Sequence, residues 1–278
     1  MIPTMDKSEE YKTLAPFTAL APLAVGGLLG LLVTPVAKPI VGIDMAAMVV
    51  LATGILALIA SLFHLGRPWR APLALLHIAG SWLSREVFLF GLFLVFLGVY
   101  AVLPVINSGG LLRTIIGVAG VIIGLLGTLA TGKTYQLHSR PAWDQWPTVA
   151  TFPLGALSTG LLFGFFVAQQ FPGHMQVKSY AWIGAAFLLL ASLSVTWLRS
   201  VRRHPDSTEG QPSRQLVLGP NLWLLVIRVA AGGLALAMIG FGGASQSLAW
   251  IPALLGEFAD RVLFFKAVVP ITLRGQYS

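Results

Sequence analysis

Apolar runs of about twenty residues, the length a helix needs to cross the hydrocarbon core of a bilayer, recur from one end of this chain to the other. In hydrocarbon, backbone N–H and C=O groups must be satisfied within the protein, so a chain with many such runs folds as a bundle of helices. The sequence therefore predicts an all-α, polytopic membrane protein.

Eight spans can be drawn along the 278 residues, and no segment between them offers a separate soluble domain. We therefore predict a single integral membrane domain over 1–278, an eight-transmembrane-helix bundle. The predicted spans are 14–36, 44–64, 85–105, 112–132, 148–170, 179–198, 221–241 and 246–268. The polar stretch 199–220 lacks an apolar period and is predicted to be a flexible loop.

The composition of the chain excludes several classes of function. Hydrophobic residues make up 56% of the chain and charged residues 10%, against about a quarter charged in soluble domains. The formal net charge of +8 does not indicate nucleic-acid binding, because no soluble basic domain carries it. The absence of cysteine excludes disulfides, thiolate-ligated iron–sulfur clusters and a cysteine nucleophile. The first twelve residues lack the pattern of a signal peptide and are expected to be retained.

Basic residues are unevenly distributed between the two ends of the predicted bundle. An even number of spans puts both termini on one side, together with the loops near 65–84, 133–147 and 199–220. Those three loops hold nine basic residues: Arg67, Arg70, Arg85, Lys133, Arg140, Arg199, Arg202, Arg203 and Arg214. The opposite-side loops hold three: Lys38, Arg113 and Lys178.

This bias predicts the orientation of the chain in the inner (cytoplasmic) membrane. The positive-inside rule puts the termini and the His64 side in the cytoplasm. A basic surface that docks an acidic partner subunit would explain part of the same surplus, and this alternative stays open.

No histidine lies in the middle of a predicted span. His64 ends the second span, His77, His138 and His204 lie in loops on the same side, and His174 lies in a loop on the other. No two spans offer facing histidines at matching depth, the arrangement that holds a b-type haem. The sequence predicts no haem and no metal in this chain.

His64 and Glu86 form a titratable pair where two spans meet water on the same side. Glu86 opens the third span after Ser84, a candidate N-cap. Histidine titrates near physiological pH, so the pair could deprotonate a lipid-soluble two-electron, two-proton carrier such as a quinol. Two simpler interpretations stay open: His64 bonded to loop carbonyls, and Glu86 opposing the helix dipole.

The loop 132–148 on the same side is rich in aromatic residues, among them Tyr135, Trp143 and Trp146. Such residues form belts at membrane interfaces without any special function. They could equally wall a quinone pocket, and both interpretations stay open.

The predicted eighth span carries Glu257 and Arg261 at spacing i, i+4, with Asp260 adjacent to Arg261. Arg228, seven residues into the seventh span, should lie at a depth similar to Arg261. Ionisable groups at such depth must face the bundle interior or water. Two acids and two bases there indicate either a charge-balanced interhelical lock or part of a path for protons or quinone.

Together, several of these segments resemble the membrane-anchor subunit of dimethyl sulfoxide reductase and its relatives. The similarity runs over all eight spans, with weak identity. Its segments are SLFHLGRPWRA and SWLSRE, then Tyr135, SRPAWDQWPT and GEFADRVLFF. The specific part is the HLGxPxRA loop with the SxE that starts the third span.

The resemblance implies a haem-free anchor that exchanges electrons between a membrane quinol, often menaquinol, and a docked iron–sulfur subunit. That subunit passes electrons to a molybdopterin catalytic subunit. Carried over by position, the family's quinol-site residues fall on His64, Gly66, Arg70 and Glu86. The charge bias puts the His64 face in the cytoplasm, whereas the best-known member is thought to turn this face to the periplasm. The compartment of the catalytic arm, and the direction of electron flow, therefore stay open.

A secondary transporter is the alternative, with its charged site in the eighth span. Transporters place broken helices from corresponding halves around a midplane site. Here the polar side chains concentrate at one face, with Glu257 as the exception, and this pattern favours the electron-transfer anchor. The partners expected for such an anchor are the two subunits named above and membrane lipid, with no nucleic acid.

Overall fold

The computed structural model of the chain describes residues 10–34, 36, 42–63, 73, 75–106, 110–174, 176–201 and 211–269. The helices there are α1 (Glu10–Val33), α2 (Met45–Leu62), α3 (Trp82–Val102), α4 (Leu111–Tyr135), α5 (Trp146–Gly155), α6 (Leu161–Gln170), α7 (Ser179–Val201), α8 (Gln211–Leu218), α9 (Leu222–Phe241), α10 (Gly243–Leu248) and α11 (Trp250–Lys266). A five-residue π-helical segment, Ala156–Gly160, joins α5 to α6. The predicted all-α class is confirmed.

Seven predicted spans correspond to helices long and apolar enough to cross a membrane, within the part of the chain that the structure describes. Their ends differ from the prediction by a few residues; α3 begins at Trp82 and α4 continues to Tyr135. Large apolar side chains on their outer surfaces remain exposed, as lipid contact requires. The chain is a multi-pass membrane protein.

The predicted eighth span coincides with α10 and α11. The 17 residues of α11 would extend about 25 Å. This helix packs along α9 and against α1, and its Glu257, Asp260 and Arg261 are buried. A full crossing by this helix, and so the count of eight spans, stays a prediction.

The prediction of a flexible loop over 199–220 is wrong at both ends of that stretch. Helix α7 continues to Val201, and α8 forms over Gln211–Leu218. Val217 of α8 is buried in a cluster with Leu224 of α9 and Leu263 of α11. The stretch between the two helices, 202–210, lies outside the described residues. Helix α8 could not be predicted from the hydropathy pattern, because its few apolar residues do not stand out among their polar neighbours.

Glycines bring α1 into close contact with the π-helical segment and α6. A Cβ on Gly26 would lie 1.8 Å from the carbonyl oxygen of Ala156, and one on Gly30 would lie 2.6 Å from the Cα of Gly164. Small residues four positions apart let helix backbones touch in lipid, where dispersion contacts drive association. As a result α1 is the most enclosed of the seven described spans.

Contacts between helix ends define two faces of the bundle. Glu86, near the start of α3, lies beside Thr131 near the end of α4. Trp143, between α4 and α5, donates a hydrogen bond to the carbonyl of Phe264 near the end of α11. We call this end of the bundle the Glu86 face. Helix α2 also ends there, because neighbouring spans run in opposite directions.

The opposite face has its own buried ion pair. Asp44 caps α2 by accepting the backbone N–H of Ala46 (3.0 Å), and its second oxygen pairs with Arg113 of α4. The Arg113 guanidinium lies 4.1 Å from the ring centroid of Tyr100. Burial lowers the pKa of His174 nearby; the charge of Asp44 opposes this shift and that of Arg113 adds to it. These contacts hold α2, α3 and α4 together at this end.

Gly26→Ala tests the close contact between α1 and the π-helical segment. The new Cβ would collide with a backbone carbonyl that cannot move independently, so we expect the free energy of unfolding to fall by about 1–3 kcal/mol. Thermal unfolding of the purified protein in detergent measures this. Gly91→Ala is the matched control, because no atom lies within 4 Å of its added Cβ. Equal stability of the two variants would contradict the packing described.

Candidate functional site

Glu86 lies one turn further into its helix than the sequence predicts. Ser81, and not Ser84, is the N-cap of α3: its Oγ accepts the backbone N–H of Ser84 (3.3 Å). The first turn therefore starts at Trp82, and Glu86 belongs to the second turn. The predicted cap is wrong because Trp82 and Leu83 extend the helix towards the interface. This shift moves the carboxyl group from the helix end into the bundle.

The Glu86 carboxyl group lies between α3 and α4, with 4% of the residue exposed. Its Oε1 accepts a hydrogen bond from Thr131 (2.8 Å) and its Oε2 accepts one from Thr134 (3.2 Å). The other buried acids that the structure describes pair with arginines. Glu86 has no ion pair within the described part of the chain. A buried carboxyl group held by hydroxyls alone can change its protonation state without breaking a salt bridge.

An apolar pocket begins one helical turn from Glu86, between α1, α2 and α3. Its cavity volume is about 10 Å³, room for about one water molecule, so the pocket is narrow. Its lining residues are Phe17, Ala21, Gly54, Ala57, Leu58, Phe90, Phe93 and Leu94. Phe90 follows Glu86 by one turn of α3 and meets Phe17 edge-on, with ring centroids 5.8 Å apart. A quinone ring or tail would fit there only if the lining side chains moved apart, and Glu86 itself is not among them.

Three of the predicted site residues, His64, Gly66 and Arg70, lie outside the described residues. Helix α2 ends at Leu62 on the Glu86 face, two positions before His64 in the sequence. Arg85, next to Glu86, turns away from it: Nε donates to the carbonyl of Ile78 (3.0 Å), and the guanidinium lies 4.3 Å from the Trp82 ring centroid.

Tyr135 and Trp143 lie together in an aromatic cluster inside the protein. Their ring centroids are 5.3 Å apart, and Trp143 stacks on Phe264 at 4.8 Å. Trp143 is 3% exposed, so it does not belong to a lipid-facing belt. Trp146, at 52% exposed, is placed as a belt residue would be. Neither Tyr135 nor Trp143 lines the apolar pocket described above.

The structure brings Arg228, Glu257 and Arg261 together in the bundle interior. One carboxylate oxygen of Glu257 lies 3.1 Å from Nη2 of Arg228, and the other pairs with Arg261 one turn along α11. Arg261 also donates to the carbonyl of Thr151 in α5 (3.1 Å). A Cβ on Gly155 would lie 2.7 Å from Glu257 Oε1, so this glycine gives the pair its room.

Asp260 brings a third arginine into the same cluster. Its Oδ1 lies 2.5 Å from Nη2 of Arg199, near the end of α7. Arg228 donates to the Ser192 hydroxyl of α7 (2.6 Å). The cluster thus links four helices and holds three arginines against two acids, one positive charge more than the balanced set that the sequence indicates.

The residues that the sequence analysis missed are Arg199, Thr131 and Thr134. Arg199 was assigned to a loop, although α7 carries it inside the bundle with 9% exposed. Thr131 and Thr134 are three positions apart on a glycine-rich span, a spacing that puts both on one helix face. The spacing could be read from the sequence. Which residue the two threonines contact depends on how α3 and α4 align, and the sequence does not show this.

No three His, Asp or Glu side chains of the described ranges come together as a metal site requires. Because the chain has no cysteine, it cannot supply a thiolate ligand to a metal either. The absence of haem and metal from this chain stays a prediction.

The family model for the DMSO reductase anchor subunit (DmsC) matches residues 10–206. The match covers well over half of the chain, including Glu86 and both threonines. The chain belongs to this family. No curated protein matches the sequence. The family supplies the membrane anchor of DMSO reductase-type complexes, in which the anchor associates with catalytic and iron–sulfur subunits.

Glu257→Gln tests the charge cluster. The change leaves Arg228 and Arg261 buried without their shared acid, and breaking a buried pair from one side costs about 3–5 kcal/mol. We expect a matching loss of stability in detergent, with unfolding followed by tryptophan fluorescence. Asp144→Asn is the control, because its partner His138 is almost fully exposed and such pairs contribute little. A Glu257→Gln protein as stable as the control would show that the arginines have other partners.

Proposed function

We propose that this chain is the quinone-reactive anchor of its complex, exchanging electrons between membrane quinol and a docked iron–sulfur subunit. The observation that carries the proposal is the Glu86 carboxyl group: buried, without an ion pair among the described residues, and one helical turn along α3 from Phe90 of the apolar pocket. An acid in this setting can accept a proton from a lipid-soluble donor and pass it to the aqueous face.

The chemistry needs two proton acceptors. Oxidation of a quinol releases two electrons and two protons, and an acceptor must come within about 2.6–3.2 Å of each hydroxyl. We assign Glu86 to one hydroxyl and His64, two positions after the end of α2 in the sequence, to the other. Gly66 and Arg70 complete the quinone-binding loop by resemblance. Menaquinone is the favoured quinone.

The electrons leave through the partner. Having no cysteine, the chain cannot hold a thiolate-ligated iron–sulfur cluster, so the electron acceptor must be in another polypeptide. We place that subunit against the Glu86 face, which also carries Lys133 in the last turn of α4 and Arg140, whose guanidinium lies 4.4 Å from the Trp143 ring centroid. A molybdopterin catalytic subunit would receive the electrons from it.

The buried charge cluster has a structural role in this proposal. Arg199, Arg228 and Arg261 hold α5, α7, α9 and α11 in register through Glu257 and Asp260, as an interhelical lock. All five charged side chains are buried, and each forms an ion pair with another member of the cluster, as an interhelical lock requires. This favours the electron-transfer anchor over a secondary transporter.

His64→Ala and Glu86→Gln test the proposed site in membranes that contain the complete complex. We expect the first change to abolish quinol-linked turnover and the second to slow it at least tenfold, since general acid–base groups contribute about 10²–10⁴-fold. Activity with an artificial donor that feeds the iron–sulfur partner directly should survive both, because it bypasses the quinol.

The matched control is Asp144→Asn, an acid on the same face that pairs with His138 outside the pocket. Its quinol-linked turnover should equal that of the unchanged chain. Near-normal quinol oxidation by His64→Ala and Glu86→Gln would place the quinone site elsewhere, with the aromatic cluster around Trp143 next to be tested.

A further inference from the structure

Two threonines of α4 each stand between Glu86 and a carbonyl of their own helix. Thr131 Oγ1 lies 2.8 Å from Glu86 Oε1 and 3.2 Å from the carbonyl oxygen of Gly127. Thr134 Oγ1 lies 3.2 Å from Glu86 Oε2 and 3.0 Å from the carbonyl oxygen of Ala130. Each hydroxyl therefore has two acceptors within hydrogen-bond distance.

A hydroxyl carries one hydrogen, so each threonine can donate to only one of its two acceptors at a time. When Glu86 is ionised, both hydroxyls can donate to its oxygens, and charge-assisted bonds of this kind are the stronger choice. When Glu86 is protonated, its own O–H can donate to a threonine oxygen, and that threonine then donates back to the helix carbonyl. Both arrangements satisfy every group without moving the backbone.

We infer that Thr131 and Thr134 are positioning residues that let Glu86 take up and release a proton inside the bundle by rotation of two hydroxyls. The inference rests on the proposed function, since it assigns the proton to quinol oxidation. It explains how a buried carboxyl group with no ion pair in the described structure can be stable in either charge state.

The proton step balances with the partners already proposed. An O–H bond of the quinol breaks and an O–H bond forms on the Glu86 carboxylate, while His64 takes the second proton. The two electrons pass to the iron–sulfur subunit. Threonine rotation transfers no proton by itself; it exchanges the acceptor of each hydroxyl as Glu86 changes charge.

In the described structure, the charged side chains of the neighbouring segments do not take the place of the threonines as partners of the Glu86 carboxyl group. On α4, Lys133 Nζ bonds to the side-chain oxygen of Gln136 (2.8 Å). On α3, Arg85 bonds to backbone carbonyls before the helix. Helix α2 has no charged residue, Lys12 near the start of α1 is exposed, and so is His77 in the turn before α3.

Thr131→Val and Thr134→Val test the inference, singly and together, in the complete complex. Glu86 must be ionised to accept a proton, and removing a donor to the carboxylate disfavours that state. We expect the acidic limb of the pH profile of quinol oxidation to move up by about one pH unit or more in Thr131→Val. Thr131→Ser, which keeps the hydroxyl, should restore the original profile. Artificial-donor activity should stay unchanged in all variants.

Thr128→Val is the matched control. Thr128 is a buried threonine one turn away on the same helix, and its hydroxyl bonds to the carbonyl of Leu125 (2.7 Å). Its pH profile should not move. If both single valine variants keep the original profile, the inference is overturned.

Glu86→Gln separates the two levels of failure. If it retains the turnover and pH profile of the unchanged chain, Glu86 is not the acceptor and the proposed function fails with the inference. If Glu86→Gln slows turnover while the threonine variants keep the original pH profile, Glu86 remains the proton acceptor and only the role of the threonines is wrong.

Discussion

A charge inside hydrocarbon must meet a partner, a hydrogen-bond donor or water, and this constraint explains how the polar groups of the described bundle are arranged. At one face Asp44 holds Arg113 while capping α2. In the interior, Glu257 and Asp260 together hold three arginines. Glu86 is different, because two hydroxyls rather than a cation satisfy it. That difference is the basis of the proposed proton exchange at Glu86.

The close packing of the helices also depends on the hydrocarbon that surrounds them. Helices in lipid gain little from burying apolar surface against each other, so their association relies on dispersion contacts and interhelical hydrogen bonds. Gly26 and Gly30 let α1 reach the π-helical segment and α6, and Gly155 makes room for the Glu257 carboxylate. Helix α1, held between its neighbours, contributes Phe17 and Ala21 to the lining of the apolar pocket.

Much of the fold could be predicted from the sequence, because hydropathy alone fixes where long helices form. The prediction failed where the signal is short or depends on tertiary contacts. Helix α8 has too few apolar residues to be visible, and the start of α3 depends on whether Ser81 or Ser84 caps it. Arg199 looked like a loop residue because its partner, Asp260, is sixty-one positions away. The threonine partners of Glu86 required the alignment of α3 with α4.

The structure also refines the charge bias used to predict orientation. Arg113 and Arg199 are both committed to buried ion pairs, so neither acts as a loop charge. Without them, the basic residues of the predicted loops number eight on the side that holds Glu86 and two on the other. The asymmetry that predicts a cytoplasmic Glu86 face is therefore kept, and docking of an acidic subunit there remains its alternative cause.

Photoaffinity labelling with an azidoquinone on the complete complex tests most directly whether quinol binds beside Glu86. Peptide mapping by mass spectrometry should find the probe on α2 and α3, around Leu58, Phe90 and Leu94, and excess quinol should compete it away. Competed labelling on α9 and α11 around Arg228 and Glu257, with none on α2 or α3, would contradict the proposed site.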